Sequence, residues 1–264
     1  MGRREPMQMK TTRRGIIQML GVAAGTAMIS PLVPRGASVA KEPSKSADFP
    51  WPYSRLDPDI SADVSYKGYE VGRCMYGTFL GIIGRLAEEK GAPYNTFPFL
   101  MMKYGKGGVA DWATLCGALN GAAAAVYLVS NKPESVVDEL FCWYQQEKLP
   151  VYQPKESKIE IVSSFSRSTL CHASVSRWCK ASKFKAFSKE REERCARLTA
   201  DVIKKSVELL NQELAGTFKP MFPIPESVKH CRACHDKGGT LENTRGKIDC
   251  SPCHFNLGTA HKKI

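Results

Sequence analysis

Histidine is scarce in this chain, five residues in 264, so any histidine beside a cysteine pair carries more weight than usual. Acidic residues are outnumbered, 26 against 38 basic, for a net charge of +12. No platform of interleaved aromatic and basic residues accompanies that excess, which argues against nucleic acid as the partner. Past residue 40 no stretch approaches the ~20 apolar residues of a membrane span. Six of the ten cysteines lack the local Cys-x-x-Cys spacing of ferredoxin sites. No internal repeat is visible except one pair of pentapeptides.

Those pentapeptides are Cys231-Arg232-Ala233-Cys234-His235 and Cys250-Ser251-Pro252-Cys253-His254. Each is the attachment signature of a c-type haem. Two thiols add across the porphyrin vinyl groups, and the adjacent histidine ligates iron from the proximal side. Without the histidines, the same cysteines read as C-x2-C-x15-C-x2-C, a zinc-ribbon spacing that would make a closed structural site. A zinc ribbon needs no histidine after both second cysteines, a coincidence of roughly one in a thousand at ordinary histidine frequencies. The pattern therefore predicts two covalent haems, on Cys231, Cys234, Cys250 and Cys253, with His235 and His254 as proximal ligands.

Residues 1–40 read as an export signal. Thr12-Arg13-Arg14-Gly15-Ile16-Ile17 is a twin-arginine pair ahead of an apolar stretch, and Ser38-Val39-Ala40 offers small residues for cleavage. Gln18, Ser30 and Pro31 interrupt that stretch, so a permanent anchor is not expected. Removing the signal, with its six basic residues and one acidic, leaves 32 against 25, or +7. The expectation is a periplasmic protein without a membrane span. The twin-arginine route carries folded proteins whereas c-type haem is attached after export, which points to a further cofactor inserted earlier.

The mature chain divides into an extended arm at 41–61, a helical cysteine-rich body at 62–216 and a loop-rich dihaem segment at 217–264. Pro43, Pro50, Pro52 and Pro58 mark the arm, with Trp51 and Tyr53 pinning it to the body. Apolar spacing predicts helices over Tyr69–Lys90, Thr96–Tyr104 and Val109–Ser130, then another opening at Pro133. A short strand is expected at Ile159–Val162, then helices over Ser166–Ser182 and Ser188–Leu214. Pro220, Pro223 and Pro225 stiffen a connector beyond, and the tail from Ser227 has too few apolar residues for a core of its own. The fold class is mainly α.

Cys74, Cys116, Cys142, Cys171, Cys179 and Cys195 remain. In an exported chain they allow disulfides, isolated buried thiols (Cys142, within Phe141-Cys142-Trp143, fits this), or an iron–sulfur cluster held by thiolates from several helices. Cys116 sits on a small-residue face, Cys116-Gly117-Ala118-Leu119-Asn120-Gly121-Ala122, where glycines let backbones approach or leave room for a group.

The haem pair, the leader, that Cys116 segment and Cys171-His172-Ala173-Ser174-Val175-Ser176-Arg177-Trp178-Cys179 together resemble the split-Soret cytochromes c of sulfate-reducing bacteria. The helical body resembles the wider C…GCAxxG…C…C redox-protein family, although Leu115-Cys116-Gly117-Ala118 stands where that name has Gly-Cys-Ala. The resemblance implies a homodimer with two stacked c-type haems per subunit and a [2Fe–2S] cluster. Carried over by residue, the cluster ligands fall on Cys74, Cys116, Cys171 and Cys195, with Cys179 the alternate to the last.

Bis-histidine haems need two of the three other histidines as sixth ligands; a methionine such as Met221 is the other kind of axial ligand the chain offers. His230 is tied to the edge of its own haem, and His261 lies seven residues past His254, on the same side. Each more readily reaches the other haem or one in a second subunit, so His230 and His261 are the distal candidates and His172 the alternate. Saturated bis-histidine iron predicts an electron carrier serving redox partner proteins rather than an enzyme. The rival readings are a haem enzyme reducing a small oxidant at an open coordination site, and a zinc- and disulfide-stapled interaction protein.

Overall fold

The computed structural model describes residues 49–155, 157–251 and 253–254. The twin-arginine segment and His261 lie outside them. The chain is mainly α.

The arm enters with Trp51, whose amide donates to Leu128 O at 2.6 Å. Its indole packs edge-on to Tyr94, with ring centroids 5.5 Å apart. Tyr53 donates to Asn211 Oδ1 at 3.0 Å, and Asn211 Nδ2 donates back to Leu56 O at 2.9 Å. The arm is shorter than expected, because Asp57 caps a helix. Its carboxylate accepts from the amides of Asp59 and Ile60, and Pro58 takes the first helical position, where its missing N–H costs nothing. This α1 (Pro58–Phe79) runs into a π-helical turn (Leu80–Gly84) and α2 (Arg85–Lys90). Glycines and serines in its first turns hide the helical period that the sequence shows only from Tyr69.

Two 3-10 turns follow, Tyr94–Thr96 and Phe99–Gly105. The next helix, α3, spans Gly117–Val129 rather than starting at Val109. Gly107 through Asp111, and Ala113, have positive φ and form a loop instead. α4 (Pro133–Gln146) leads to a two-residue strand β1 (Lys148–Leu149), paired antiparallel with β2 (Ser164–Phe165).

The strand expected at Ile159–Val162 does not form. Its carbonyls are taken by side chains: Arg197 donates to Ile159 O at 2.6 Å and Trp178 to Val162 O at 2.9 Å. α5 (Cys171–Ser182) also begins later than expected. Ser166 donates to Ser168 O, and Ser168 Oγ accepts from the Leu170 amide, so serine side chains compete for the backbone groups a helix would use. α6 (Lys189–Leu214) is capped by Ser188, with Glu190 and Glu192 in its first turn matching the helix dipole. α7 (Glu226–His235) carries the first haem motif on a helix, in a segment expected to be loop-rich. Among the described residues no helix is long and apolar enough to cross a membrane.

The core lies where α1 packs on α3 and α6, with Phe79, Ile82, Leu119, Ala122, Val202 and Ile203 inaccessible. Close approach depends on glycine. A Cβ on Gly121 would stand 2.2 Å from both Met75 O and Thr78 Oγ1. Replacing Gly121 by Ala is therefore expected to cost about 1–3 kcal/mol of unfolding free energy through overpacking, read from urea denaturation. An unchanged midpoint would mean that α1 and α3 do not lie this close.

Candidate redox centre and haem segment

The extended segments before α3 and α5 bind each other. Cys116 N donates to Thr169 O at 2.8 Å and Cys171 N to Thr114 O at 2.7 Å, around an antiparallel bridge between Leu115 and Leu170. Cys116 is thus the N-cap of α3 and Cys171 the first residue of α5. Both thiols sit at helix N-termini, where the dipole favours a thiolate.

α1 brings the third thiol. Arg73 leaves helical geometry with φ 68° and ψ −164°, and this break immediately precedes Cys74. A Cβ on Gly117 would meet Cys74 Cβ at 3.0 Å, and one on Gly108 would meet Cys171 Cβ at 2.9 Å. Glycine on both sides leaves the cradle around these cysteines open. α6 supplies Cys195, whose thiol shares a hydrogen bond with Cys74.

Charge in this pocket is lopsided. The hydrogen bond with Cys74 pulls the Cys195 thiol down to about 5 despite burial, helped by the guanidiniums of Arg194 and Arg191. Cys74 is pushed up by the same hydrogen bond and by burial. The two thiols titrate as a pair, and Arg194 and Arg191 favour negative charge on the Cys195 side. Burial, with the Cys116 and Cys195 sulfurs nearby, pushes Cys171 up to about 12. Arg194, 1% exposed, approaches Cys195 Sγ at 3.8 Å and donates to Ser174 Oγ at 2.9 Å. Tyr144 donates to Ser174 Oγ at 2.8 Å, and its hydroxyl also meets the Cys116 thiol.

Cys74, Cys116, Cys171 and Cys195 thus act on one another. Cys179 interacts with Cys195 alone of these and is nearer the surface. None of the ten cysteines is joined in a disulfide. Among the described residues no three His, Cys, Asp or Glu side chains converge closely enough to hold a single metal ion. One tetrahedral zinc would need its four ligands at one centre. A two-iron cluster divides its four ligands between two irons, so the hydrogen-bonded Cys74–Cys195 pair and the bridged Cys116–Cys171 pair suit it better. Cys142 is buried in α4, outside this group.

The haem motifs meet at a second place. A cavity of about 510 Å³ is lined by Cys231, His235, Cys250, Cys253 and His254, and closed on one side by Leu170. The thiols of Cys231 and Cys250 hydrogen-bond each other. Cys234, on the same helix, is exposed and does not line this cavity. His235 Nδ1 lies 2.8 Å from Asn243 Oδ1. In the tautomer that donates from Nδ1 to this oxygen, Nε2 carries the lone pair an axial ligand requires. His230 is exposed on α7, and His172 is exposed in the first turn of α5. Neither lines the cavity.

Sequence reasoning missed Arg194, Tyr144, Ser174 and Asn243. Arg194 had a signal, since it precedes Leu198 and Val202 at four-residue steps on the inward stripe of α6. Asn243 had none.

This arrangement defines a cysteine-rich redox protein, and comparison with known proteins agrees. The family model for the redox-active protein C_GCAxxG_C_C matches residues 81–209, a span that includes Cys116, Cys171 and Cys195 and begins after Cys74. Split-Soret cytochrome c of Desulfovibrio desulfuricans is 41% identical over 97% of this chain and 99% of its own length. A solved structure of split-Soret cytochrome c from strain ATCC 27774, described as having a novel iron centre, aligns with TM-score 0.75 and 42% identity. It covers 81% of this chain and 93% of that one. The chain belongs to the split-Soret cytochrome c family, haem proteins of electron transfer.

Removing the buried counter-charge tests the thiol group. Arg194→Met is expected to cost about 3–5 kcal/mol by breaking the buried Arg194–Cys195 contact, and Tyr144→Phe about 1 kcal/mol, both from urea titrations. Wild-type stability in Arg194→Met would show that another group balances Cys195.

Proposed function

We propose that the mature chain is a periplasmic electron carrier with two covalent c-type haems and a [2Fe–2S] cluster, working as a homodimer and exchanging single electrons with redox partner proteins. Residues 1–40 are its twin-arginine signal, 41–57 its arm, the helical body holds the cluster, and 217–264 holds the haems. The observation that carries this reading is the meeting of both Cys-x-x-Cys-His motifs on one cavity whose wall, Leu170, directly precedes Cys171.

Cys231, Cys234, Cys250 and Cys253 would form the thioethers, and His235 and His254 would ligate iron. Asn243 fixes the His235 ring. Cys74, Cys116, Cys171 and Cys195 would ligate the cluster, whose cradle is kept open by Gly108 and Gly117. Bound haem and cluster iron supply reversible one-electron chemistry. The protein's part is to favour negative charge on Cys195, balance it with Arg194 and Arg191, and keep water from the core side of the centre. Distal ligation falls to His230 and His261. Since His230 does not line the cavity of its own motif, it suits the other haem or one in a second subunit. The Leu170–Cys171 peptide gives a direct covalent link from haem wall to cluster ligand.

Cys116→Ser is expected to abolish the cluster's low-temperature paramagnetic signal and leave the haem absorbance per chain unchanged. Cys253→Ala should retain the first haem and lose thioether attachment of the second, so haem stain on a denaturing gel falls to about half. An unaltered cluster signal in the first variant, or full staining in the second, would contradict the assignment of that residue.

A further inference from the structure

From Ile161 to Lys189 the sequence contains no acidic residue. Arg167, Arg177, Lys180, Lys183, Lys185 and Lys189 fall in this stretch, and all six are exposed. Several other surface cations are paired: Arg85 with Glu88 and Glu89, Lys204 with Asp59, Lys229 with Glu226, Lys247 with Asp138. Among the described residues none of the six has a carboxylate partner. Two aromatic side chains stand in the turn between α5 and α6, Phe184 at 42% and Phe187 at 98% exposure. An exposed aromatic preceded in the chain by a run of cations, with Glu190 the first carboxylate after it, has the composition of a transient protein interface.

Its position matters as much as its charge. With a helical rise of ~1.5 Å per residue, Arg177 and Lys180 lie about 9 and 14 Å along α5 from Cys171. Cys179 sits between them, half-buried, within the field of Arg194 and Cys195. The face runs from the C-terminal half of α5 to the start of α6, the two helices that carry Cys171 and Cys195. A second copy of this chain, meeting face to face, would set like charge against like, which costs affinity. An acidic surface complements the face.

We propose that the exposed face from Arg177 to Lys189, with Phe187 as its apolar anchor, is the docking site for a small acidic electron-carrier protein. This rests on the electron-carrier reading and adds to it where the partner binds. Exposed unpaired cations accelerate encounter with an anionic partner and make binding fall with ionic strength.

The test measures binding of an acidic flavodoxin to the purified holoprotein by titration calorimetry at low and high salt, with haem and iron assayed on the same samples. K180E/K183E/K185E is expected to bind at least about tenfold more weakly at low salt and to lose most of the salt dependence. F187A should weaken binding several-fold and keep the salt dependence. K67E/K90E/K219E changes net charge equally but elsewhere on the exposed surface, and should bind within about threefold of wild type. Equal loss in both triple variants would overturn the proposal, leaving only net-charge steering. So would unchanged binding in K180E/K183E/K185E, or a change in its own oligomeric state, which would assign the face to a contact between copies. Wild-type haem and iron in a variant whose binding is unchanged defeats the docking face alone. Absent haem in the wild type defeats the carrier reading instead.

Discussion

The antiparallel contact between Thr114–Cys116 and Thr169–Cys171 is the constraint on which the rest depends. Two hydrogen bonds and one bridge end both helices' extended lead-ins at the same level. Two cysteines thereby open two helices side by side, at the positive ends of both dipoles, although burial pushes both thiols up. The same contact puts Leu170 on the opposite side, in the wall of the haem cavity. Slide one segment by a residue and the thiols would part from each other while Leu170 left the haem side.

Around that contact, small residues and buried charge divide the work. Gly117 and Gly121 let α3 approach α1 closely enough to bring Cys74 into the group. Arg194 and Arg191 supply positive charge from α6, so the interior tolerates a thiolate on Cys195. A buried guanidinium is costly unless its hydrogen bonds and its counter-charge are both met. Here Ser174 and Cys195 meet most of that need.

How much of this was legible in the sequence follows from how local each feature is. The haem motifs are contiguous, so their chemistry was readable from five residues apiece. Helix existence was readable from apolar period, as in the Ser188–Leu214 stretch, found at Lys189–Leu214. Helix starts were not, because serine side chains at 166–168 and a left-handed loop at 107–113 compete for the backbone in ways that periodicity does not record. The thiol group draws on four separate elements, and spacing alone left it open among disulfides, buried thiols and a cluster. The resemblance to a known family selected Cys74, Cys116, Cys171 and Cys195. The geometry brings those four into mutual range and leaves Cys179 at the edge. Arg194 was visible on the inward stripe of α6 but meaningless until Cys195 and Ser174 were seen beside it.

Everything functional rests on porphyrin bonded to the C-terminal segment. The most direct measurement is the intact mass of the exported, acid-denatured polypeptide, where non-covalent groups are lost and thioethers survive. The account predicts the mass of the processed chain plus two haems. The mass of the bare polypeptide would contradict it.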